Sequence, residues 1–256
     1  MKYICLSFDD ARRDTYTRAL PILEKNGLVA TLNVITDFIG NAGEIEFESS
    51  KEGMKKEELL KWLEKGNEVA CHGRKHQNTV QDILDNIEDL KKIGIDTKNI
   101  GFASPSSNLT LELAKKEGIL ELYRGKTLSY LRTGIKVRRE GLIYTTLCFL
   151  DKFLHSNNLF YYLNKRVIFN KNKLPLILSA VPIKSYTKVE QIKYLIEKLR
   201  DEECIILMFH SILLPKDEGY FKDHWVWNEE NFNELCEFLS KNREIKVLTT
   251  KKLIMD

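Results

Sequence analysis

The apolar positions of the chain alternate between two patterns. Short runs rich in β-branched and large aliphatic residues read as buried strands: Tyr3–Leu6, Leu28–Ile35, Glu68–Cys71, Asn99–Ala103, Ile119–Tyr123, Leu174–Val181, Cys204–Phe209 and Ile245–Leu248. Longer stretches with apolar residues three and four apart read as helices buried on one side: Ala11–Asn26, Lys55–Lys65, Val80–Ile93, Leu109–Lys116, Val189–Arg200 and Glu229–Ser240. Gly27, Gly66, Gly94 and Gly118 supply stops for four of them. Pro21 falls inside the first helical stretch, where it either kinks the helix or starts a second segment. Thr36–Gly53 shows little periodicity and reads as a loop over one end of the sheet or a small insertion. Residues 124–172 are the hardest to assign; a strand near Ile143–Cys148 and a helix near Lys152–Lys165 are expected there. Strands that alternate with helices imply a mostly parallel sheet with crossover helices. About seven or eight such units in a chain of this length fit a closed or distorted α/β barrel better than an open sheet.

Composition adds limits rather than a function. The chain is 43% hydrophobic and 30% charged, enough for a sizeable core. The formal net charge is +3 and the charges are interspersed along most of the chain, which argues against a nucleic-acid partner. Basic residues are denser from Arg124 to Arg139, through Lys126, Arg132, Lys136 and Arg138, as a solvated loop or a local surface for an anionic ligand. The five Cys are dispersed, odd in number and free of CxxC spacing, which fits reduced, mostly buried thiols. Cys71 directly precedes His72 and so invites a check as ligand or nucleophile, but its strand context favours the core. No apolar run is long enough to cross a membrane. Met1-Lys2 runs straight into the first strand with no room for a secretory leader, so a cytoplasmic protein is expected.

Candidate chemistry sits where strands end. Leu6-Ser7-Phe8-Asp9-Asp10 places two carboxylates after an apolar strand. Neighbouring strand residues point to opposite faces, so both can serve one site only if the strand stops and the chain turns. Alone, the pair is also consistent with an Asp capping the next helix. His72 and His76 follow another strand; on a helical turn that i, i+4 spacing puts both imidazoles on one face, able to grip one cation. His210 ends the most apolar strand, and Ser104-Pro105-Ser106-Ser107 turns after a fourth. In a parallel barrel all four clusters converge on the carboxyl-end rim. Two His and one Asp form a facial set that leaves positions open for water and substrate. His155 and His224 lack a strand-end context and read as surface or loop residues. The stretch Asp223-His224-Trp225-Val226-Trp227 either flanks a sugar cleft or packs as a buried loop.

These residues resemble the polysaccharide deacetylases, the NodB-homology group also called carbohydrate esterase family four. Ser7-Phe8-Asp9-Asp10 looks like its first motif, Gly66 to His72 with His76 its second, Phe102-Ala103-Ser104-Pro105 a variant of its third, and Leu207-Met208-Phe209-His210 its last. The resemblance runs along nearly the whole chain in the family's order. It implies a distorted (β/α) barrel of about seven parallel strands, a single catalytic domain over 1–256, and metal-dependent removal of an N-acetyl or O-acetyl group from an amino sugar or glycan. By position, Asp10, His72 and His76 would hold a divalent ion (Zn2+, with Co2+, Ni2+ or Mn2+ as substitutes), Asp9 would be the general base and His210 the general acid. The backbone N–H of Ser106, after Pro105, would face the oxyanion.

The chain departs from the family in places. Ala11 stands where Gly is common, and Ala103 or a neighbour where an Arg that orients the base is common. Arg124 or Arg132 is the expected substitute. Ser106 and Ser107 replace an aromatic residue and a Gly, and the usual Asp-Trp pair of the fourth motif is not evident. The readings to weigh against a sugar deacetylase are an amidohydrolase acting on a non-sugar carbon–nitrogen bond, and a glycan-binding relative without catalysis.

Overall fold

In the computed structural model of the protein, residues 1–41, 45–135 and 141–255 are described. β1 (Lys2–Phe8) leads through a π-helical turn (Thr15–Ala19) to α1 (Leu20–Lys25), β2 (Thr31–Val34), α2 (Lys56–Glu64), β3 (Glu68–Cys71), α3 (Val80–Ile93) and β4 (Ile100–Ala103). There follow α4 (Leu111–Lys116), α5 (Ile119–Arg124), β5 (Leu128–Gly134), α6 (Leu142–Leu154), α7 (Asn157–Asn164), β6 (Phe169–Asn170) and β7 (Ile177–Pro182). The chain ends with α8 (Val189–Glu197), β8 (Glu203–Phe209), β9 (Ser211–Leu213), β10 (Val226–Asn228), α9 (Glu229–Lys241), β11 (Ile245–Val247) and α10 (Thr250–Met255).

Strands β1, β2, β3, β4, β5, β7 and β8 pair in that order, and β8 closes on β1 from Tyr3–Cys204 to Phe8–Phe209. All seven pairings are parallel, so the expected (β/α) barrel of seven strands is present. It is distorted at its amino end. β1 meets β2 only at Ser7 and Phe8, while its first residues, Lys2 to Ile4, pair with β11. β7 meets β8 only near Val181 and Pro182, and the antiparallel β6 covers the lower part of β8. The two extra strands satisfy backbone groups that a splayed barrel would leave unpaired.

The barrel interior is filled by Tyr3, Cys5, Ala70, Tyr130, Leu178, Ala180, Cys204, Ile206 and Met208. Gly101 makes room for this packing, because a Cβ there would lie 2.1 Å from the Tyr130 ring. A second cluster lies between the barrel and its helices, where Phe8, Trp62, Phe209, Trp227 and Phe232 meet. Local signals agree with the helices. Thr79 caps α3 by accepting from the Asp82 N–H, and Gly94 ends it with φ of 98°.

Three expectations fail in the middle of the chain. Ile119–Tyr123 lies in a helix, α5, rather than a strand. The strand of that unit is Leu128–Gly134, in the segment that the pattern leaves unassigned. Ile143–Cys148 belongs to α6, and the helix expected from Lys152 to Lys165 is divided at His155, where φ is 47°. Apolar runs of this length suit a strand or a short helix equally, and only their packing decides. Pro21 starts a second segment, sitting in the first turn of α1 after the π-helical turn. Lys136, Arg138 and Arg139 of the basic stretch lie outside the described residues.

Candidate active site

β1 ends at Phe8, and the next residues leave the sheet. The Asp9 N–H donates to the Phe209 carbonyl at 2.9 Å, and then Asp10 and Ala11 take φ of 77° and 58°. Two successive left-handed residues without glycine are strained, and such strain gathers at functional sites. The turn is what brings adjacent carboxylates to one side.

Each carboxylate is held at one oxygen and presented at the other. Asp9 Oδ1 accepts from Asn33 Nδ2 at 2.7 Å and is ion-paired with Arg132 Nη2. Its Oδ2 lies 4.0 Å from His72 Nε2. Asp10 Oδ2 is ion-paired with Arg12 Nη2 at 2.9 Å and accepts from Arg12 Nε at 3.0 Å. Its Oδ1 faces His72 Nε2 at 3.5 Å and His76 Nε2 at 3.8 Å. Burial pushes both carboxyls up, but Arg132 with His72 and His210 at Asp9, and Arg12 with His72 and His210 at Asp10, together outweigh it. Asp9 ends below and Asp10 well below the ordinary carboxylate range.

The histidines are set by the segment after β3. His72 Nδ1 lies 2.8 Å from the Ala103 carbonyl, which can only accept, so that nitrogen carries a proton and Nε2 is the ring atom turned toward Asp10. His76 is not on a helix with His72, as its spacing suggests, but on an irregular turn with φ of 60°. Asp82 at the start of α3 builds that turn by accepting from the Lys75 and Gln77 N–H groups at 2.8 and 2.9 Å. Asn86 Nδ2 donates to the Gly73 carbonyl at 2.9 Å. Burial, with His72 close by, lowers the His76 pKa and favours the neutral imidazole.

Asp10, His72 and His76 offer ligand atoms that all lie within 4.8 Å of one another. One ionised carboxylate oxygen and two imidazole nitrogens at this separation fit a divalent cation bound at 2.0–2.2 Å, with positions left open. Cys71 is excluded from the set. It is buried, its Sγ lies 3.8 Å from the Ile83 carbonyl, and burial raises the thiol to about 12.

These groups line a cleft of about 610 Å³ together with Phe47, Ser106, Ser107, Lys184, Met208, His210 and Trp225. The His210 and Trp225 rings lie against each other at a tilt of 39°, with centroids 4.4 Å apart. Burial lowers its pKa to about 4, against the pull of Asp10 and Asp9, so the imidazole is neutral. Ser106 faces the cleft from a left-handed position with φ of 56°, whereas Pro105 is buried beneath it. Arg124 does not reach the site. It is exposed and paired with Glu121 at 2.8 Å.

The Trp-rich stretch divides. Trp225 and His224 line the cleft, while Trp227 is buried against Phe209. His224 is thus no mere loop residue. Arg12 was not legible as a site residue. It is buried, donates to Ser49 and Ser211 at 2.6 and 3.0 Å, and lies 4.2 Å over the Phe47 ring. The only sign in the sequence is its place two residues after the carboxylate pair. Asn33 shows none, because it sits inside an apolar strand.

The sequence model of the polysaccharide deacetylase family matches residues 1–135. No curated protein matches the chain. Among solved structures, a family 4 acetyl xylan esterase from Clostridium thermocellum with a cobalt ion superposes with a TM-score of 0.54 at 15% identity, over 99% of this chain and 90% of that one. The Xyl-CE4 domain of a multidomain xylanase from the hindgut metagenome of Trinervitermes trinervoides gives 0.51 at 17% identity, with the same coverage of 99% and 90%. Peptidoglycan deacetylase PdaC from Bacillus subtilis gives 0.50 at 15% identity, over 98% and 89%. At these identities the likeness is one of fold.

Proposed function

The chain belongs to the polysaccharide deacetylase family, and on that premise we propose that it is a metal-dependent hydrolase that removes an acetyl group from an amino sugar or glycan, with residues 1–256 as one catalytic domain. The observation that carries this reading is the facing arrangement of two carboxylates. Asp10 Oδ1 points at two imidazoles, and beside it Asp9 Oδ2 is left for proton transfer.

Asp10, His72 and His76 would hold the ion, with Zn2+ favoured by the nitrogen and oxygen donors and Co2+, Ni2+ or Mn2+ as substitutes. A divalent cation there would supply Lewis acidity to the acyl carbonyl and make attacking water more acidic. Asp9 Oδ2 accepts the proton of that water as its oxygen bonds to the acyl carbon. Arg132 and Asn33 keep Oδ1 occupied, so only one oxygen is offered. The Ser106 N–H is the proposed donor to the developing oxyanion. His210 starts neutral, so the proton it gives to the leaving amine is the one that Asp9 took from the water, passed on to His210 before the carbon–nitrogen bond breaks. The carbon–nitrogen bond then breaks, leaving acetate and the free amine. Trp225 at the rim supports a sugar ring through its apolar face. A cytoplasmic location remains part of this proposal; among the described residues, no helix is long and apolar enough to cross a membrane.

Elemental analysis beside acetate-release assays on N-acetylated amino sugars tests the assignment. Wild-type protein is expected to hold about one equivalent of metal, His72→Ala to lose most of it, and Asp9→Asn to keep it while turnover falls by about 10²–10⁴-fold. Equal metal in wild type and His72→Ala removes the basis for the reading. Faster turnover of simple cyclic amides than of acetylated sugars points instead to a non-sugar amidohydrolase.

A further inference from the structure

α6 is inverted relative to an ordinary surface helix. Tyr144, Leu147, Cys148 and Asp151, three and four residues apart, are its covered side. That side is the more polar one: Asp151 Oδ1 accepts from Gln191 Nε2 at 3.0 Å, and the Tyr144 hydroxyl donates to the Leu163 carbonyl at 3.1 Å. The outward side carries Leu142, Ile143, Phe149, Leu150, Phe153 and Leu154. Leu142 is 83% and Ile143 79% exposed, and the Phe149 and Phe153 rings lie 4.9 Å apart on the surface. A contiguous apolar face of this kind marks a binding surface.

Charge identifies the occupant. Residues 124–188 contain thirteen Lys or Arg and two acidic residues, Glu140 and Asp151, although the whole chain carries only +3. The rest of the chain is therefore net acidic, and positive charge is concentrated in the segment that holds α6. Cations lie along aromatic rings of α6 and α7: Lys152 Nζ is 6.0 Å from the centroid of Phe153 on the apolar side, Lys165 Nζ is 5.0 Å over Tyr162, and Arg166 is 4.1 Å over Tyr144 on the covered side. Long cationic stems beside an apolar stripe suit a boundary between hydrocarbon and anionic headgroups. A second copy of this chain would set the same positive segment against itself, whereas an anionic bilayer neutralises it.

We infer that α6 is an interfacial helix that docks the protein on an anionic lipid bilayer, with Leu142, Ile143, Phe149, Leu150, Phe153 and Leu154 inserted among the headgroups. The covered side of α6, opposite the docked face, is the one that borders the catalytic cleft: Ile135 and Lys184 line both the cleft and the small cavity beside Tyr144, Cys148 and Asp151. Docking uses none of the catalytic groups, so it stands or falls apart from the deacetylase reading.

Cosedimentation of the full chain with phosphatidylcholine vesicles, with and without phosphatidylglycerol, tests it. Binding to the anionic vesicles should exceed binding to neutral ones by about tenfold or more and weaken as salt is raised. Phe149→Ser with Phe153→Ser should lose about tenfold or more of that binding, with unchanged melting temperature and unchanged turnover of a small soluble substrate. Lys152→Glu, which leaves the apolar face intact, should also lower it. Equal partition of wild type and the double variant into anionic vesicles would overturn the inference. So would a concentration-dependent dimer in wild type that the double variant dissolves, since α6 would then bind a second copy.

Discussion

Single side chains explain how two neighbouring carboxylates can do different things. Arg132 rises from inside the barrel, two residues beyond the core ring of Tyr130, and occupies Asp9 Oδ1. Arg12 occupies Asp10 Oδ2 from the turn itself. Arg132 is thus placed where the missing third-motif Arg would act, on the strand after the expected one, while Arg124 faces solvent. Arg132→Ala is expected to cut turnover by about a hundredfold or more, through loss of orientation at Asp9, with metal content retained. Arg124→Ala should match wild type. Steady-state kinetics on both variants decides it: full turnover in Arg132→Ala would mean that Asn33 alone orients Asp9.

At the scale of elements, the site is built by turns that helices anchor. The His72–His76 segment has no regular structure, and its shape depends on Asp82 and Asn86 of α3. Gly73, at φ of 81°, leaves no space for a Cβ, which would lie 2.3 Å from Asp82 Oδ2. Asp82→Ala should therefore reduce metal affinity by about 10–100-fold, as loss of groups that orient ligands does. Competition titration with a chelator measures this, and circular dichroism checks that the barrel remains. Unchanged affinity would mean that the turn holds its shape without α3. The same dependence explains the failures in the middle of the chain. α5 and α6 carry apolar runs that no local signal marks as helical, and tertiary packing made the choice.

For the molecule as a whole, burial of carboxyls makes stability depend on pH. Asp151, covered between α6 and α8, is raised by burial from 3.8 to about 6. Between those values the folded chain keeps a proton that the unfolded chain has released, so this contribution is full below about 3.8 and is lost as pH rises through 6. His210 acts in the opposite sense, because burial lowers it from 6.5 to about 4, and its contribution is lost as pH falls through that range. The difference between wild type and Asp151→Asn isolates the effect of the Asp151 carboxyl. In urea unfolding the variant should gain about 1–3 kcal/mol at pH 8 and nothing near pH 4. A difference that does not change with pH would show that Asp151 titrates normally.

Outside the middle of the chain, from Ile119 to Lys165, the order of strands and helices, the strand ends and the residue types at those ends were legible in the sequence, because they follow from hydrophobic period and from polar groups placed after apolar runs. Asp9, Asp10, His72, His76 and His210 could be chosen as one set on that basis, and one cleft holds all five. Tertiary structure decided what period cannot encode. Closure of the barrel puts Arg132 and Asn33, from two different strands, on Asp9. The left-handed turn at Asp10 and Ala11 folds Arg12 back onto Asp10. Packing against α7 and α8 leaves the apolar side of α6 facing outward. Each of these depends on contacts between residues far apart in the chain or on backbone angles that no spacing specifies.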